Sequence, residues 1–353
     1  MSDTHTDGMP IMALPGLATG QWALPSVELL ARLGLRRGWL RTLVMDLDAL
    51  PEQLRRLEYP PGVQVCILIE GQTGGANGLN HDWARVNPVA RWIAANLRGL
   101  VHAVEVFNEL DIWHWSPPPP FESSAILTPA FAASRVQQAL GPLKDAGMLV
   151  IAPSVAGPWW TDYLTQMAAI LGDGPDMYAF HPYGQRAYGV PTANTHWPEL
   201  TMTLAQARAL VPRPLAITEI GVKIGEAGGA AGQAAYVRAL ARLMAQTPAD
   251  QVAFWNYFAL QDSIGTDAEQ QDQAFGLMLD SGTWRPAAFA FAEAVGEQLE
   301  PDPLAQIRAQ LWATENRLSR LRLALETELA RRTVGGRLAA PRRSVIKRLL
   351  EAP

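Results

Sequence analysis

Short apolar runs alternate along this chain with longer stretches in which apolar residues return every three or four positions. The runs at 39–45, 63–69, 101–107, 148–152, 177–181, 214–220 and 251–257 are near-continuous in aliphatic and aromatic residues and are bounded by Gly, Pro, Asn or Asp. A strand that reads this way is buried on both faces, as in a parallel sheet covered by helices. Helical periodicity falls at 26–35, 87–97, 129–146, 161–171, 197–210 and 233–246. Ser26 before Val27-Glu28-Leu29 and the pair Asn87-Pro88 read as helix starts, since a short polar side chain can accept the first free backbone N–H groups. An eighth strand is weaker and falls at 11–14 or at 21–24. Eight strands alternating with helices over about 300 residues predict one (β/α)8 TIM barrel. A doubly wound sheet is the competitor, but no strand leads into GxGxxG. The Gly-rich segment 71–78 lacks both that spacing and a phosphate-binding Lys, so it reads as a βα loop.

The pattern changes after Pro303. Leu304, Leu311, Leu318 and Leu325 recur every seventh residue, with Ile307, Thr314, Leu321 and Glu328 interleaved. Such a helix forms a coiled-coil seam or packs on its own barrel. The expected organisation is therefore a barrel over 1–300, an amphipathic helical extension over 301–334 and a basic tail over 335–353. Charge divides the same way: 301–353 holds 11 of the 29 basic residues but 5 of the 34 acidic ones, in a chain whose net charge is −5. The overall acidity excludes a general nucleic-acid binder. The helix over 303–333 offers a homo-oligomer contact, and the tail a contact with an anionic surface. The single cysteine, Cys66, sits in an apolar run and excludes an internal disulfide or a cysteine-based zinc site. Six His form neither HxH nor HExxH, so no metal is expected. No apolar run approaches the roughly 18 residues of a membrane span. The N-terminus has no signal-peptide pattern, so a cytoplasmic protein is expected. Twelve Trp against nine Phe and seven Tyr is the compositional outlier.

Barrel enzymes carry their reacting groups at the C-terminal ends of strands. One expected strand ends in Phe107-Asn108-Glu109 and another in Thr218-Glu219-Ile220. Two carboxylates from separate strands at one face suit glycoside hydrolysis, in which one protonates the leaving oxygen and the other attacks the anomeric carbon or activates water. Glu105 and Glu70 are alternates. Glu105 lies four residues early and reads as barrel interior or helix-facing, while Glu70 ends the third strand. A metal-dependent lyase or isomerase would need a ligand cluster at the strand ends, which the sequence does not show.

The set as a whole resembles clan A of the glycoside hydrolases. It comprises Asn108-Glu109, Glu219 three strands later, Trp39-Leu40-Arg41, His181-Pro182-Tyr183, Trp255, and Phe275-Gly276-Leu277-Met278-Leu279-Asp280 followed by Arg285-Pro286-Ala287. The pattern is most similar to family 39 and its relatives in families 5 and 51, over residues 10–299, with Leu110-Asp111 standing where many members have Pro. The resemblance implies a retaining enzyme, without cofactor or metal, acting on a β-linked oligosaccharide or polysaccharide. By the same resemblance Glu109 is the acid/base and Glu219 the nucleophile. Arg41 and Tyr183 hold Glu219 ionised, and Asn108 binds the sugar 2-hydroxyl. His181 lines the site and Trp255 is the floor of the −1 subsite. Retention expects the carboxyl groups about 5–5.5 Å apart, and inversion about 6.5–9.5 Å. Trp113, Trp115 and Trp159, in or beside βα connections, are candidate sugar platforms, because a flat indole covers a sugar's apolar face with little entropy loss. A non-hydrolytic carbohydrate-binding barrel is the alternative; it would keep the Trp residues without needing two opposed carboxylates.

Overall fold

The structure, a computed structural model, describes residues 12–19, 24–43, 49–69, 86–115, 127–185, 198–261, 274–279 and 283–295, with the side chains of Trp113 and Trp115 outside that description. Eight strands run in chain order: β1 Leu14–Ala18, β2 Arg37–Leu43, β3 Gly62–Ile69, β4 Ala103–Val106, β5 Leu149–Val155, β6 Met177–Phe180, β7 Leu215–Ile220 and β8 Val252–Phe258. All pairs are parallel, and β8 returns to β1, which closes the barrel. The helices are α1 Val27–Arg32, α2 Leu50–Leu57, α3 Val86–Asn96, α4 Leu110–Trp115, α5 Pro129–Asp145, α6 Trp160–Leu171, α7 Leu200–Leu210, α8 Ala230–Met244 and α9 Pro286–Ala294. The expected (β/α)8 barrel is thus the observed architecture. The barrel lies in one of two units of the chain, Met1–Asp280 with Trp284–Glu300. The helical extension and basic tail expected over 301–353 lie outside the described residues. Among the described residues no helix is long and apolar enough to cross a membrane.

Alternation along each strand sorts side chains into two cores. Trp39, Cys66, Ala103, Ile151, Ala216 and Phe254 fill the barrel interior, where Trp39 stacks on Phe254 at 4.4 Å. Their neighbours in sequence, such as Leu40, Ile67, Val104, Ile217 and Trp255, face the helix layer. Cys66 is a buried interior residue, as its apolar run implied. Local chemistry sets the helix starts. The Ser26 hydroxyl accepts the Leu29 N–H at 3.2 Å, and the Thr128 hydroxyl accepts that of Phe131 at 3.1 Å ahead of Pro129. Asn87 is not a cap: it lies inside α3, where its amide reaches Gln138 of α5.

The first strand corrects the sequence reading. It is Leu14–Ala18, overlapping the expected 11–14 by one residue, and it contains Pro15 and Gly16. Gly16 is required there. A Cβ would lie 2.0 Å from Asn256 Oδ1 and 2.3 Å from the carbonyl oxygen of Trp39. The short helices α2, α4 and α9 have no counterpart among the expected elements.

Candidate active site

Five strands deliver polar side chains to the C-terminal mouth of the barrel. Arg41 follows inward-facing Trp39 by two residues on β2, so it points the same way one step higher. It is 4% exposed and gathers three acceptors. Its Nε donates to Glu105 at 2.6 Å, one terminal nitrogen donates to Glu219, and the other donates to Asn108 Oδ1 at 2.8 Å.

Glu105 is wholly buried on β4, two residues above inward-facing Ala103, and so takes the barrel-interior place of the two left open for it. Beyond β4 the backbone turns sharply, with φ of 73° at Phe107 and 49° at Glu109. Left-handed conformations at such residues cost of order 1–3 kcal/mol each and persist where surrounding bonds hold them. Here the Phe107 N–H donates to the Ile69 carbonyl at 2.9 Å, and the Glu109 N–H donates to Ser154 Oγ at 3.1 Å. Ser154 Oγ in turn donates to Asn108 Oδ1 at 3.3 Å. Asp111, two residues on, is fully buried and accepts the N–H groups of Ala156 and Gly157, the latter at 2.7 Å, which ties the end of β5 to the turn carrying Glu109. Burial pushes its carboxyl up to about 6, against the pull of those two N–H groups.

His181 follows inward-facing Ala179 on β6 and is 1% exposed. Its Nδ1 lies 2.7 Å from Glu109 Oε1, and its Nε2 lies 2.8 Å from Thr218 Oγ1. Burial disfavours the imidazolium, but Glu219 and then the bond to Glu109 outweigh it and raise His181 above its usual value. Thr218 and Glu219 are consecutive on β7, yet both reach the mouth. The β7–β8 register shifts between Ile217 and Ile220, so strict alternation is broken there. Burial alone would raise the Glu219 carboxyl. Arg41, then His181 and the Tyr183 hydroxyl that donates to Oε2 at 2.8 Å, hold it below the usual carboxylate range.

Among the described residues, Glu109, His181 and Glu219 also form the group able to offer a metal ion one atom each, and these atoms lie within 4.8 Å of one another. An ion there would compete with the Arg41 guanidinium and the Tyr183 proton for Glu219.

The structure therefore brings Arg41, Asn108, Glu109, His181, Tyr183 and Glu219 together. It does not bring Trp255 to them. Trp255 faces outward from β8 and packs on Phe291 of α9 with ring centroids 6.0 Å apart. The inward aromatic at that strand's end is Phe258, beside Tyr183 at 6.2 Å and Phe275 at 5.5 Å. Trp113 and Trp115 sit on α4, not in an open loop, and their side chains lie outside the description. Trp159, immediately before α6, is 43% exposed. Glu70 lies outside the described residues. Sequence reasoning missed Phe258, Ser154 and Thr218; Phe258 falls one residue beyond the expected end of the strand at 257.

Comparison with curated protein sequences finds no match. Solved structures share the fold. GH5_18 from Streptomyces cattleya in complex with GlcNAc aligns over 84% of this chain and 83% of its own, at 17% identity and a TM-score of 0.59. The same organism's GH5_18 bound to Manβ1-4GlcNAc aligns over 82% and 83%, at 17% identity and a TM-score of 0.55. A family 39 glycoside hydrolase from Bacteroides cellulosilyticus WH2 aligns over 80% of this chain and 64% of its own, at 15% identity and a TM-score of 0.52. The model of the glycosyl hydrolase catalytic core family matches residues 87–291, more than half of the chain and the span from α3 to α9 that contains both carboxylates. The chain belongs to that family and is a glycoside hydrolase built on a (β/α)8 barrel.

Proposed function

We propose that the protein is a retaining glycosidase that cleaves a β-linked oligosaccharide or polysaccharide by double displacement. The observation that carries this reading is the placement of Glu109 and Glu219. They follow or end strands three apart in the barrel, and one carboxylate oxygen of each lies within 4.8 Å of the other. So close an approach of one oxygen from each side favours the shorter separation of a retaining pair, about 5–5.5 Å between carboxyl groups, over the about 6.5–9.5 Å that an inverting pair leaves for a water.

The environments support opposite roles. Glu219 is held ionised by Arg41 and fixed by Tyr183, as a nucleophile must be. Glu109 is the more exposed carboxylate and touches His181, a group that can hold a proton beside it. Asn108, fixed by Arg41 and Ser154, is the group for the sugar 2-hydroxyl. Phe258 takes the platform role expected of Trp255, and Trp159 is an outer subsite. The β-linkage is supported by the Manβ1-4GlcNAc held by the S. cattleya GH5_18.

The test is hydrolysis of a panel of aryl β-glycosides, with the first-formed anomer followed by NMR. A β-product and a loss of about 10⁴-fold or more in kcat for Glu219→Gln are expected. An α-product, or an active Glu219→Gln, overturns the mechanism.

A further inference from the structure

Proton placement in the site is constrained by groups that do not touch the sugar. Thr218 has one hydroxyl proton and stands between two partners: Glu105 Oε1 at 3.1 Å and His181 Nε2 at 2.8 Å. The second oxygen of Glu105 accepts from Arg41 Nε. A carboxylate only accepts, so Thr218 gives its proton to Glu105. Its oxygen is then left to accept, and His181 Nε2 must carry a proton. The direct distance from Nε2 to Glu105 Oε1 is 4.0 Å, so the carboxylate acts on the imidazole through the hydroxyl.

The other ring nitrogen faces Glu109 Oε1 at 2.7 Å, a contact that needs one proton, on either side. The charged and titratable groups around the imidazole are Glu109 and Glu105 from β4 and its end, Glu219 from β7, Arg41 from β2, and Tyr183 from the turn after β6. The opposite tautomer would turn the Thr218 proton toward His181 and leave two oxygen lone pairs facing each other at the Glu105 contact.

Resting on the assignment of Glu109 as acid/base, we propose that Thr218, anchored by Glu105, is a positioning residue. It holds His181 in its Nε2–H form and thereby stores one proton between Nδ1 and Glu109 for delivery to the glycosidic oxygen. As the bond from the anomeric carbon to the leaving oxygen breaks, that oxygen takes the stored proton, and a Glu219 oxygen forms the new bond to the carbon. The contact has then lost its proton, and the Nδ1 lone pair repels the Glu109 carboxylate. Glu109 is released toward the incoming water. Water adds its oxygen to the anomeric carbon, frees Glu219, and returns one proton to the Glu109–His181 contact.

Nitrogen-15 NMR of histidine-labelled protein reads the tautomer without any turnover, with the His181 signals assigned by their loss in His181→Asn. In the wild-type protein Nε2 should be protonated throughout and Nδ1 should be the nitrogen that titrates. A neutral Nδ1–H form overturns the proposal, whether or not any variant folds. On whichever aryl β-glycoside is turned over, Thr218→Val should move the alkaline limb of kcat/KM down by about one pH unit, with Thr218→Ser restoring it. An unmoved limb also overturns the proposal. Azide rescue of Glu109→Ala tests the acid/base assignment separately. No rescue together with a protonated Nε2 sinks that assignment alone, and rescue with an unmoved limb sinks the relay alone.

Discussion

Removing the guanidinium of Arg41 should cost stability in a pH-dependent way. Arg41→Met keeps most of the stem and deletes the charge. It strands Glu105, whose side chain is 0% exposed, and Glu219, at 12%. Deleting one partner of a buried ion pair typically costs about 3–5 kcal/mol, because the remaining charge stays buried without compensation. At about 1.5 °C per kcal/mol for a chain of this length, from roughly 2.1 cal/mol/K of unfolding entropy per residue, Tm near neutral pH should fall by roughly 4–8 °C. The pH dependence has a definite sign. In the wild-type protein the Glu219 carboxyl lies below its ordinary value of 4.5, so it adds stability above that value and loses it as pH falls through the folded-state value. Without Arg41, burial is opposed only by His181 and the Tyr183 hydroxyl, so the Glu219 carboxyl moves upward; the variant's deficit is greatest near neutrality and narrows as acidification passes first the variant's value and then the lower wild-type one. Calorimetric unfolding at pH 7 and pH 4 measures both quantities. A second substitution sharpens the test. Glu105→Gln deprives Arg41 of a partner in the wild-type background and should destabilise it, but in Arg41→Met it removes a stranded charge and should restore stability, a coupling of about 1–3 kcal/mol. An Arg41→Met protein within about 1 kcal/mol of wild type would refute the reasoning; so would an equal deficit at both pH values, or a Glu105→Gln effect of the same sign in both backgrounds.

Tyr183→Phe removes the 2.8 Å bond to Glu219. It should lower kcat/KM about 100-fold and move the acid limb of the pH profile upward, since that bond helps hold the carboxyl down; an unmoved limb would contradict the geometry. Trp255→Ala should cost about 3–5 kcal/mol of stability and leave KM unchanged, whereas Phe258→Ala should raise KM on the same aryl glycoside, so paired Tm and KM measurements separate core from platform. Gly16→Ala should destabilise by about 1–3 kcal/mol or more. Adding Asn256→Ala should not relieve it, because the Trp39 carbonyl still lies 2.3 Å from the new Cβ.

The barrel was legible because seven of its strands announce themselves as apolar runs between turn residues. β1 was hard to place for a physical reason. Its Pro15 and Gly16 are breakers in a local reading, and only contact with β8 and β2 shows why a residue without a Cβ belongs there. The two carboxylates were legible from strand-end placement. Trp255 was misplaced through the phase of alternation: the strand runs one residue further than its composition suggested, so the inward position at its end is Phe258. Thr218 carried no signal at all, since a threonine in a β-rich run is ordinary and its role appears only when His181 and Glu105 are brought to it from other strands. Asp111 read as a departure from a family pattern; the fold shows a buried acceptor for two backbone N–H groups.

The register shift in β7 has a consequence for what this chain can tolerate. A regular strand offers its interior every second residue, yet here two adjacent codons, for Thr218 and Glu219, specify neighbours that both serve the mouth. Substitutions elsewhere on the strand alter packing by degrees. Gain of a single residue between Ile217 and Ile220 would shift that phase and send one of the two outward into the helix layer. Length is an inherited quantity in that segment alongside identity, and a one-residue in-frame insertion there should abolish activity even where every side chain is retained.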